Sequence, residues 1–562
     1  MSFIDKINRF ATNPVNLNHK RSKFNLSHKV STTFNSGYLI PVMCDEVLPG
    51  DTIKIDLSSV ARSITPAVPV MDNAYLDVYA FWCPSRILTI HDKDWQKIHG
   101  EAVGGYWAPA TESTIENTGN YFTFGTSQVG VQSLADYFGF PIGFHHNSQK
   151  FSRLPINGYW FIWNEFFRDE NNQAELDWKS FTNNNFVSYI ISPSNSYGIQ
   201  QVNKFHDYFT SALPSPQKGS SVLIPFAGDA PVIAKSTIHT STYPSGNVGV
   251  EFVSSSSMNN SNYNAFISRT PDPGSIVSLQ VDAAAASPQP SNGYRLYPAN
   301  LYADLTNAVT TTINDLRQGF AIQKLLEKDA RGGTRYREML YSHYGVSIPD
   351  NTVQVPEYLG GKRIPLNMMQ VLQTSETSAN SPLGATGAFS NTADSSYLFT
   401  KSFAEFGYVY ILACIRPNQS YCQGISKMWT RNRRYDFYYP VFANLGEQAV
   451  KTTELYAVSS SDFSEVFGYQ EAWAEYRFKP SKITGYLSSN SGDAVASLWT
   501  YVNNFTAKPV LNSSFMKQDK GTIGKTLAMT NPTYQYVADF WINYTAWREM
   551  PYFSIPGLID HH

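Results

Sequence analysis

The stretch AYLDVYAFW (Ala74–Trp82) decides the fold class. Ala74, Leu76, Val78, Ala80 and Trp82 alternate with Tyr75, Asp77, Tyr79 and Phe81. That is the period-two pattern of a strand, with apolar bulk on both faces. Similar short runs occur at Gly407–Ile415, Asp436–Phe442 and Tyr534–Trp541. The 31 Pro and 35 Gly punctuate between them, as expected for an all-β sandwich with elaborate connections.

Helical patterns interrupt the strands. Ile313, Leu316 and Phe320 recur at helical spacing, and Leu325 and Leu326 extend the stripe. Thr312 followed by Asp315 gives a capping-box-like start. Lys324, Lys328 and Arg331 suit the dipole of the last turns, and Gly332-Gly333 supplies the stop. A second short helix restarts after Thr334 with Tyr336, Met339 and Leu340 on one face, and ends at Gly345. A third spans Pro155–Arg168, where Tyr159, Ile162, Trp163, Phe166 and Phe167 form an aromatic stripe. Such a stripe is either core or a docking face for a neighbour, and core is the commoner case. A fourth, shorter helix is expected over Val129–Phe138.

Size and composition set further bounds. A chain of 562 residues can bury a large core. It is 42% apolar and only 16% charged, below the roughly 25% usual for soluble proteins. With 14% aromatics, much of its surface must be uncharged polar or covered by a partner. Charge depletion with aromatic enrichment marks interfaces and favours the partner. Four scattered cysteines (Cys44, Cys83, Cys414, Cys422) make no disulfide framework and suit a reducing compartment as small buried hydrophobes. There is no charged-then-apolar leader and no run of 18 apolar residues. The expectation is synthesis and folding in a cytoplasm, without membrane insertion.

Composition shifts after Gly219. From Glu251 to Ser275 there are seven Ser and four Asn but three charged residues, and SPQPSNG follows. Connections beyond roughly 15 residues in a compact domain are usually functional or disordered. Residues 220–300 therefore read as an insertion.

Catalytic and metal signatures fail on inspection. GTIGKT (Gly521–Thr526) lacks the first glycine of a phosphate loop, since Asp519 occupies that place, and Pro532 truncates any following helix. No Cys-x-x-Cys, His-Glu-x-x-His or Gly-x-Ser-x-Gly occurs. His91, Asp92 and Asp94 are close in sequence but lie in a turn-like segment, and the His145-His146 and His561-His562 pairs would point to opposite faces of a strand. No catalytic residue, metal ligand or cofactor is assigned.

Two regions carry cations beside aromatics. Up to Phe34 there are six Lys or Arg against one acid, Asp5, which makes residues 1–35 a basic N-terminal arm. Within it Lys20, Arg21, Lys23 and Lys29 surround Phe24. The run RNRRYDFYYP (Arg431–Pro440) sets Arg431, Arg433 and Arg434 among four aromatic rings. That combination can grip single-stranded nucleic acid. Alternatively the three arginines pair with acids such as Asp436 or Glu447 while the rings fill a sheet.

Long words of the chain are also familiar. DARGGTRYREML, SHYGVSIPD and PEYLGG closely resemble the major capsid proteins of gokushoviruses, small tailless single-stranded DNA bacteriophages of the microvirus family. The resemblance continues in LIPVMCDEVLPGDT (Leu39–Thr52), PVMDNAYLDVYAFWCPSR (Pro69–Arg86) and WNEFFRDEN (Trp163–Asn171). It extends through HDYFTSALPSPQKG (His206–Gly219), MWTRNRRYDFYYPVFANLGEQAV (Met428–Val450), FGYQEAWAEYRFKPSKITG (Phe467–Gly485) and PYFSIPGLIDH (Pro551–His561).

The resemblance implies an eight-stranded viral jelly-roll β-sandwich with long insertions and a few α-helices. Its core runs over 36–219 and resumes in 301–562, which also holds helices and a C-terminal arm. Residues 220–300 then form a surface protrusion that meets a host receptor. The implied role is a T=1 icosahedral shell of identical copies in the virion, enclosing a single-stranded DNA genome and assembled in the bacterial cytoplasm. A small basic DNA-packaging protein and a minor virion protein are the expected companions. On this view Lys20, Arg21, Lys23 and Lys29 line the interior and touch phosphates without reading sequence. The competing function is a carbohydrate-binding adhesin or glycoside hydrolase on a β-sandwich.

Overall fold

The computed structural model describes residues 20–99, 118–222 and 313–553, apart from short gaps at 194, within 376–385, and at 458–463, 494 and 530–531, together with short strands within 232–303. Nine strands carry the main sheets: β1 (Ser22–Asn25), β2 (His28–Phe34), β3 (Ile40–Val47), β4 (Thr52–Ser63), β5 (Ala74–Pro84), β6 (Glu357–Pro365), β7 (Thr392–Ser402), β8 (Gly407–Pro417) and β9 (Tyr536–Arg548). In the first sheet β9 pairs on one side with β1 and β2 and on the other with β4, and β7 closes the far edge. The second sheet runs β6–β5–β8–β3. Every pairing within these two sheets is antiparallel. The protein is mostly β-sheet with few helices.

Alternation explains how the sheets meet. In β4, Ile53, Ile55, Leu57 and Ala61 are buried while Lys54, Asp56, Ser58 and Arg62 stand on the other face. In β9, Phe540, Ile542, Tyr544 and Ala546 turn inward. They share one core with Leu76, Val78, Ala80 and Trp82 of β5 and with Val409, Ile411, Ala413 and Ile415 of β8. Fully burying one such aliphatic side chain is worth about 1.5–3 kcal/mol, so this seam dominates the stability of the sandwich.

The apolar residues on the opposite face of β5 and β8 have their own partner. Phe81, Cys83, Tyr410, Leu412 and Cys414 enter a second core with Tyr159, Trp160, Ile162 and Trp163. These come from α1 (Leu154–Ile162) and the single π turn Trp163–Phe167 that continues it. The expected helix over Pro155–Arg168 is therefore present, and its stripe is core. Gly158 sits where a methyl group would collide with the Tyr410 hydroxyl. That hydroxyl donates to the Pro155 carbonyl at 2.7 Å, and Tyr159 donates to the Leu39 carbonyl at 2.8 Å. Helix α2 (Asn183–Ile191) completes the cover, capped by the Thr182 hydroxyl, which accepts the Asn185 N–H.

The same face has a buried carboxylate held by two arginines, of which Arg416 is largely buried and Arg363 half-exposed. Asp77 accepts from Arg363 Nε at 2.7 Å and from Arg416 Nη2 at 2.6 Å, with its side chain 2% exposed. Both guanidinium groups lie over the Phe205 ring, at 4.2 and 4.3 Å. Cys83 and Cys414 are buried free thiols, and burial pushes Cys414 up to about 12.

Two expectations need correction. The helix expected over Val129–Phe138 is only Leu134–Tyr137, because Gln132 takes φ +56° and Ser133 starts the turn by accepting the Asp136 N–H. Asp436–Phe442 is not a strand but two 3₁₀ turns, Arg434–Asp436 and Pro440–Phe442, since proline cannot donate to a ladder. Helices α3 (Ile313–Gly332) and α4 (Tyr336–Tyr344) form where their spacing predicts, with Phe320 and Leu325 exposed and no residue of α4 buried. Their ends are as expected, with Gly333 and Gly345 at φ +89° and +70°. Thr312 lies outside the described residues. The strand expected at Tyr534–Trp541 begins at Tyr536 and runs on to Arg548.

The chain divides into two compact units, Met1–Lys218 with Glu327–His562, and Gly219–Leu326. The second contains three antiparallel ribbons nested in sequence. Val232–Ala234 pairs with Leu301–Ala303, Phe252–Ser254 with Leu296–Pro298, and Ala265–Ser268 with Ser278–Val281. In the first unit, the stretch from Ser22 to Phe34 belongs mostly to strands of the first sheet. Residues 1–19 lie outside the described residues.

Candidate assembly surface and nucleic-acid contacts

The run Met428–Leu445 builds an exposed aromatic surface. Trp429 is 71% exposed, Tyr435 72% and Val441 82%, and Phe437, Tyr438 and Tyr439 are exposed beside them. Short turns hold this ledge in place instead of a sheet. Trp473 supports it from beneath, donating from Nε1 to the Phe442 carbonyl at 3.2 Å and stacking on the Phe442 ring. Arg431 is its anchor. One guanidinium nitrogen meets Glu475 at 2.6 Å, another meets the Tyr476 hydroxyl at 2.6 Å, and the group lies over the Tyr476 ring. Asp436 accepts the Asn432 and Arg433 N–H groups, and these bonds hold its carboxyl below the ordinary range. Arg433 and Arg434 are exposed, with Arg434 5.7 Å from the Tyr439 ring. Of the two readings of this run, the pairing one holds for Arg431, with Glu475 as its partner. The expected sheet filling fails, because the rings are in water.

Glu447, the other acid considered for these arginines, pairs instead with Arg331 at the end of α3. Helix α4 is clamped to the π turn below it. Arg335 reaches the carbonyls of Asn164 at 2.9 Å and Arg168 at 3.0 Å, and meets Glu170 at 2.7 Å. Arg337 bonds Asp350 at 2.9 Å and the Glu165 carbonyl at 3.2 Å, and lies over Phe166. Three carboxylates therefore surround Arg335. Burial raises Glu165 and Glu338, and Glu170 adds like charge to Glu338. Two of the sequence words quoted above, WNEFFRDEN and GGTRYREML, are thus the halves of one joint.

The four N-terminal cations fall on the first sheet. Lys20 is exposed just before β1. Arg21 binds the Gly50 carbonyl and the Thr52 hydroxyl, the latter at 2.9 Å. Lys23 lies 5.7 Å from the Trp547 ring, and Lys29 meets Asp539 at 3.0 Å. Phe24 stacks on Tyr552 at 5.8 Å. The structure does not bring these four together with Arg431, Arg433 and Arg434, which stand on the ledge.

Among the described residues no group of His, Cys, Asp and Glu could hold a metal ion. Asp94 is occupied by Asn120 Nδ2 and the His91 N–H. GTIGKT forms one helical turn, and Lys525 donates to the Val502 carbonyl instead of facing an anion site. Burial lowers that lysine to about 8. His561-His562 lies outside the described residues.

The family described as "Capsid protein (F protein)" matches residues 14–558. The chain belongs to that capsid protein family. It is 37% identical to capsid protein VP1 of Bdellovibrio phage phiMH2K, covering 96% of this chain and 95% of the relative. It is 36% identical to capsid protein VP1 of Spiroplasma virus 4 over 96% and 95%, and 34% identical to that of Chlamydia phage 1 over 98% of both. This capsid protein is a structural virion component, the major capsid protein expected from the sequence, and not an enzyme. The adhesin or glycosidase alternative finds no support. No described helix is long and apolar enough to cross a membrane. Two features of the capsid protein escaped the sequence reading. The ledge is a surface, a fact that the Pro440 break could have flagged. Trp541 and Tyr397 are also exposed; strict alternation with buried neighbours would have shown it for Trp541, while a bulge after Tyr397 breaks the alternation there.

Proposed function

We propose that this chain tiles copies of itself into a closed T=1 icosahedral shell around a single-stranded DNA genome, with an eight-stranded jelly roll as the rigid tile. Strand order supports the jelly roll. Counting the interrupted β1–β2 as one strand, eight strands fall into two four-stranded sheets. Each successive strand changes sheet except β5 to β6, where the long excursion lies. The ledge carries the proposal of tiling. Monomeric proteins rarely expose contiguous apolar patches beyond a few hundred Å², and obligate interfaces bury roughly 2,000–5,000 Å². A ring-rich surface held by Arg431 and Trp473 but serving no core is an interface awaiting a second copy. Closed symmetry repeats each such contact around the shell.

Residues 220–300 supply the surface protrusion and the host contact in this proposal, supported by Gly219–Leu326 forming a compact unit of its own. Lys20, Arg21, Lys23, Lys29, Arg433 and Arg434 are the proposed cationic contacts to DNA, with Arg431 committed to Glu475. A small basic packaging protein and a minor virion protein complete the particle, since a net charge of −2 leaves most genome charge unneutralised. Assembly occurs in the host cytoplasm.

Sedimentation tests the tiling. The intact chain is expected to form fast-sedimenting particles. Trp429→Ser with Val441→Ser is expected to leave a folded chain, changed by less than about 0.5 kcal/mol, that stays at low mass. Normal particles from the double variant would remove the ledge from the interface. An intact chain that remains a monomer in every buffer would remove the shell.

A further inference from the structure

No element packs over the outer face of the first sheet among the described residues. Its rows cross the strands in register: Lys29, Trp541, Ser58 and Ser395 in one, and Asn543, Asp56 and Tyr397 in the next. Trp541 is 50% exposed and Tyr397 58%, although both sit in the middle of long strands. Outward positions of a one-sided sheet are ordinarily polar. Their neighbours obey that rule, with Ser58 and Ser395 sharing a hydrogen bond at 2.7 Å. Neither ring packs into any of the buried cores, so the fold does not require them.

Charge identifies the partner. Lys23, Lys29, Lys54 and Arg62 stand on this face against two acids, Asp56 and Asp539. Both acids are already engaged, Asp539 by Lys29 at 3.0 Å and Asp56 by Lys54 at 3.2 Å. Exposed pairs of this kind are worth about 0–1 kcal/mol, so a phosphate can replace either carboxylate at little cost. The two exposed rings do not touch: Trp541 and Tyr397 lie two strands apart in neighbouring rows, with Ser58 and Asp56 of β4 between them. A protein–protein interface would place its aromatics together in a charge-depleted centre. Separate rings among cations and hydroxyls suit a strand of unpaired bases, which stack on the rings while its phosphates meet the lysines.

We propose that the outer face of the first sheet is a sequence-independent binding platform for single-stranded DNA. Trp541 and Tyr397 stack on bases, and Lys23, Lys29, Lys54 and Arg62 neutralise phosphates. The inference rests on the capsid reading and names where within the subunit the genome touches.

The test uses the full chain and a fluorescein-labelled 30-nucleotide oligothymidylate, read by anisotropy and by tryptophan quenching, with inorganic polyphosphate as competitor. The intact chain is expected to bind the oligonucleotide more tightly than polyphosphate and to show quenching. Trp541→Ala is expected to weaken binding roughly 5- to 150-fold, the range for one stacked base, while Trp541→Phe retains most of it. Lys29→Ala with Lys54→Ala should flatten the slope of log affinity against log salt by about 0.7 per cation. Equal affinity of Trp541→Ala and the intact chain overturns the proposal. So does equal competition by polyphosphate, because the face would then be only a charge patch. Sedimentation separates the two readings. Particles that form normally from Trp541→Ala but hold less DNA support the platform. Lost particles with unchanged oligonucleotide affinity make the face a subunit contact and refute the platform, leaving the shell intact.

Discussion

The two sheets of the sandwich share one inner seam but differ on their outer faces. The second sheet presents Phe81, Tyr410 and Leu412 outward and has them covered by α1, the π turn and α2. The first presents Lys54, Asp56, Ser58, Asn543 and Trp541 and has no such cover among the described residues. Alternation exists in both, so periodicity alone does not distinguish them. What differs is the residue type in the outward register. An apolar outward register marks a face the chain buries itself. A polar one broken by single rings marks a face left for something else.

Three substitutions probe that contrast. Asp77→Ala on the covered face strands the largely buried Arg416 beside Phe205. Removing one partner of a buried ion pair costs about 3–5 kcal/mol. Urea unfolding followed by tryptophan fluorescence should show that loss, and a change below 1 kcal/mol would mean the covered face is no more structural than that of the first sheet. Gly158→Ala sets two effects against each other. Alanine in a helix gains about 1 kcal/mol over glycine, but overpacking against Tyr410 costs typically 1–3 kcal/mol. A net loss is expected in the same assay, and a gain would show that α1 can lift off the sheet freely. The smallest effect belongs to Glu338→Gln, in the clamp that holds α4. Glu338 is raised above its ordinary 4.5 by burial and by Glu170. Its contribution to stability is therefore complete below the unfolded value and is lost as pH rises through the folded one. Glutamine abolishes that decline, so the thermal midpoint of the variant should gain on the parent between pH 4.5 and pH 7. Parallel profiles over that range would place the carboxyl outside the clamp's energetics.

Much of the sandwich was legible from residue order. The run at Ala74–Trp82, read as a strand with apolar bulk on both faces, is a strand with a core on each face, and Gly333 and Gly345 stopped their helices where glycine was expected to. Asp436–Phe442 failed for a physical reason: it has strand-forming residues, yet Pro440 and the anchoring of Arg431 by Glu475 override propensity with local turns. The stripes of α3 and α4 have helical spacing as predicted, but spacing reports amphipathicity and not what the apolar face meets. In a protein that buries surface against its own copies, that meaning is ambiguous. Pairing was the least accessible part. Nothing in the words around Glu170 and Arg335 says that they touch, because the contact depends on how the chain crosses itself.

Strand β9 lies between β2 and β4, so the middle of the first sheet is made long after both of its neighbours. While the ribosome is still at work, β2 and β4 wait without the strand that joins them, and the inner seam stays open on one side. A broken message or an early release yields a chain that cannot close its sandwich. Such a chain lacks Phe540, Ile542, Tyr544 and Ala546, the share of the core that its last long strand was to bring.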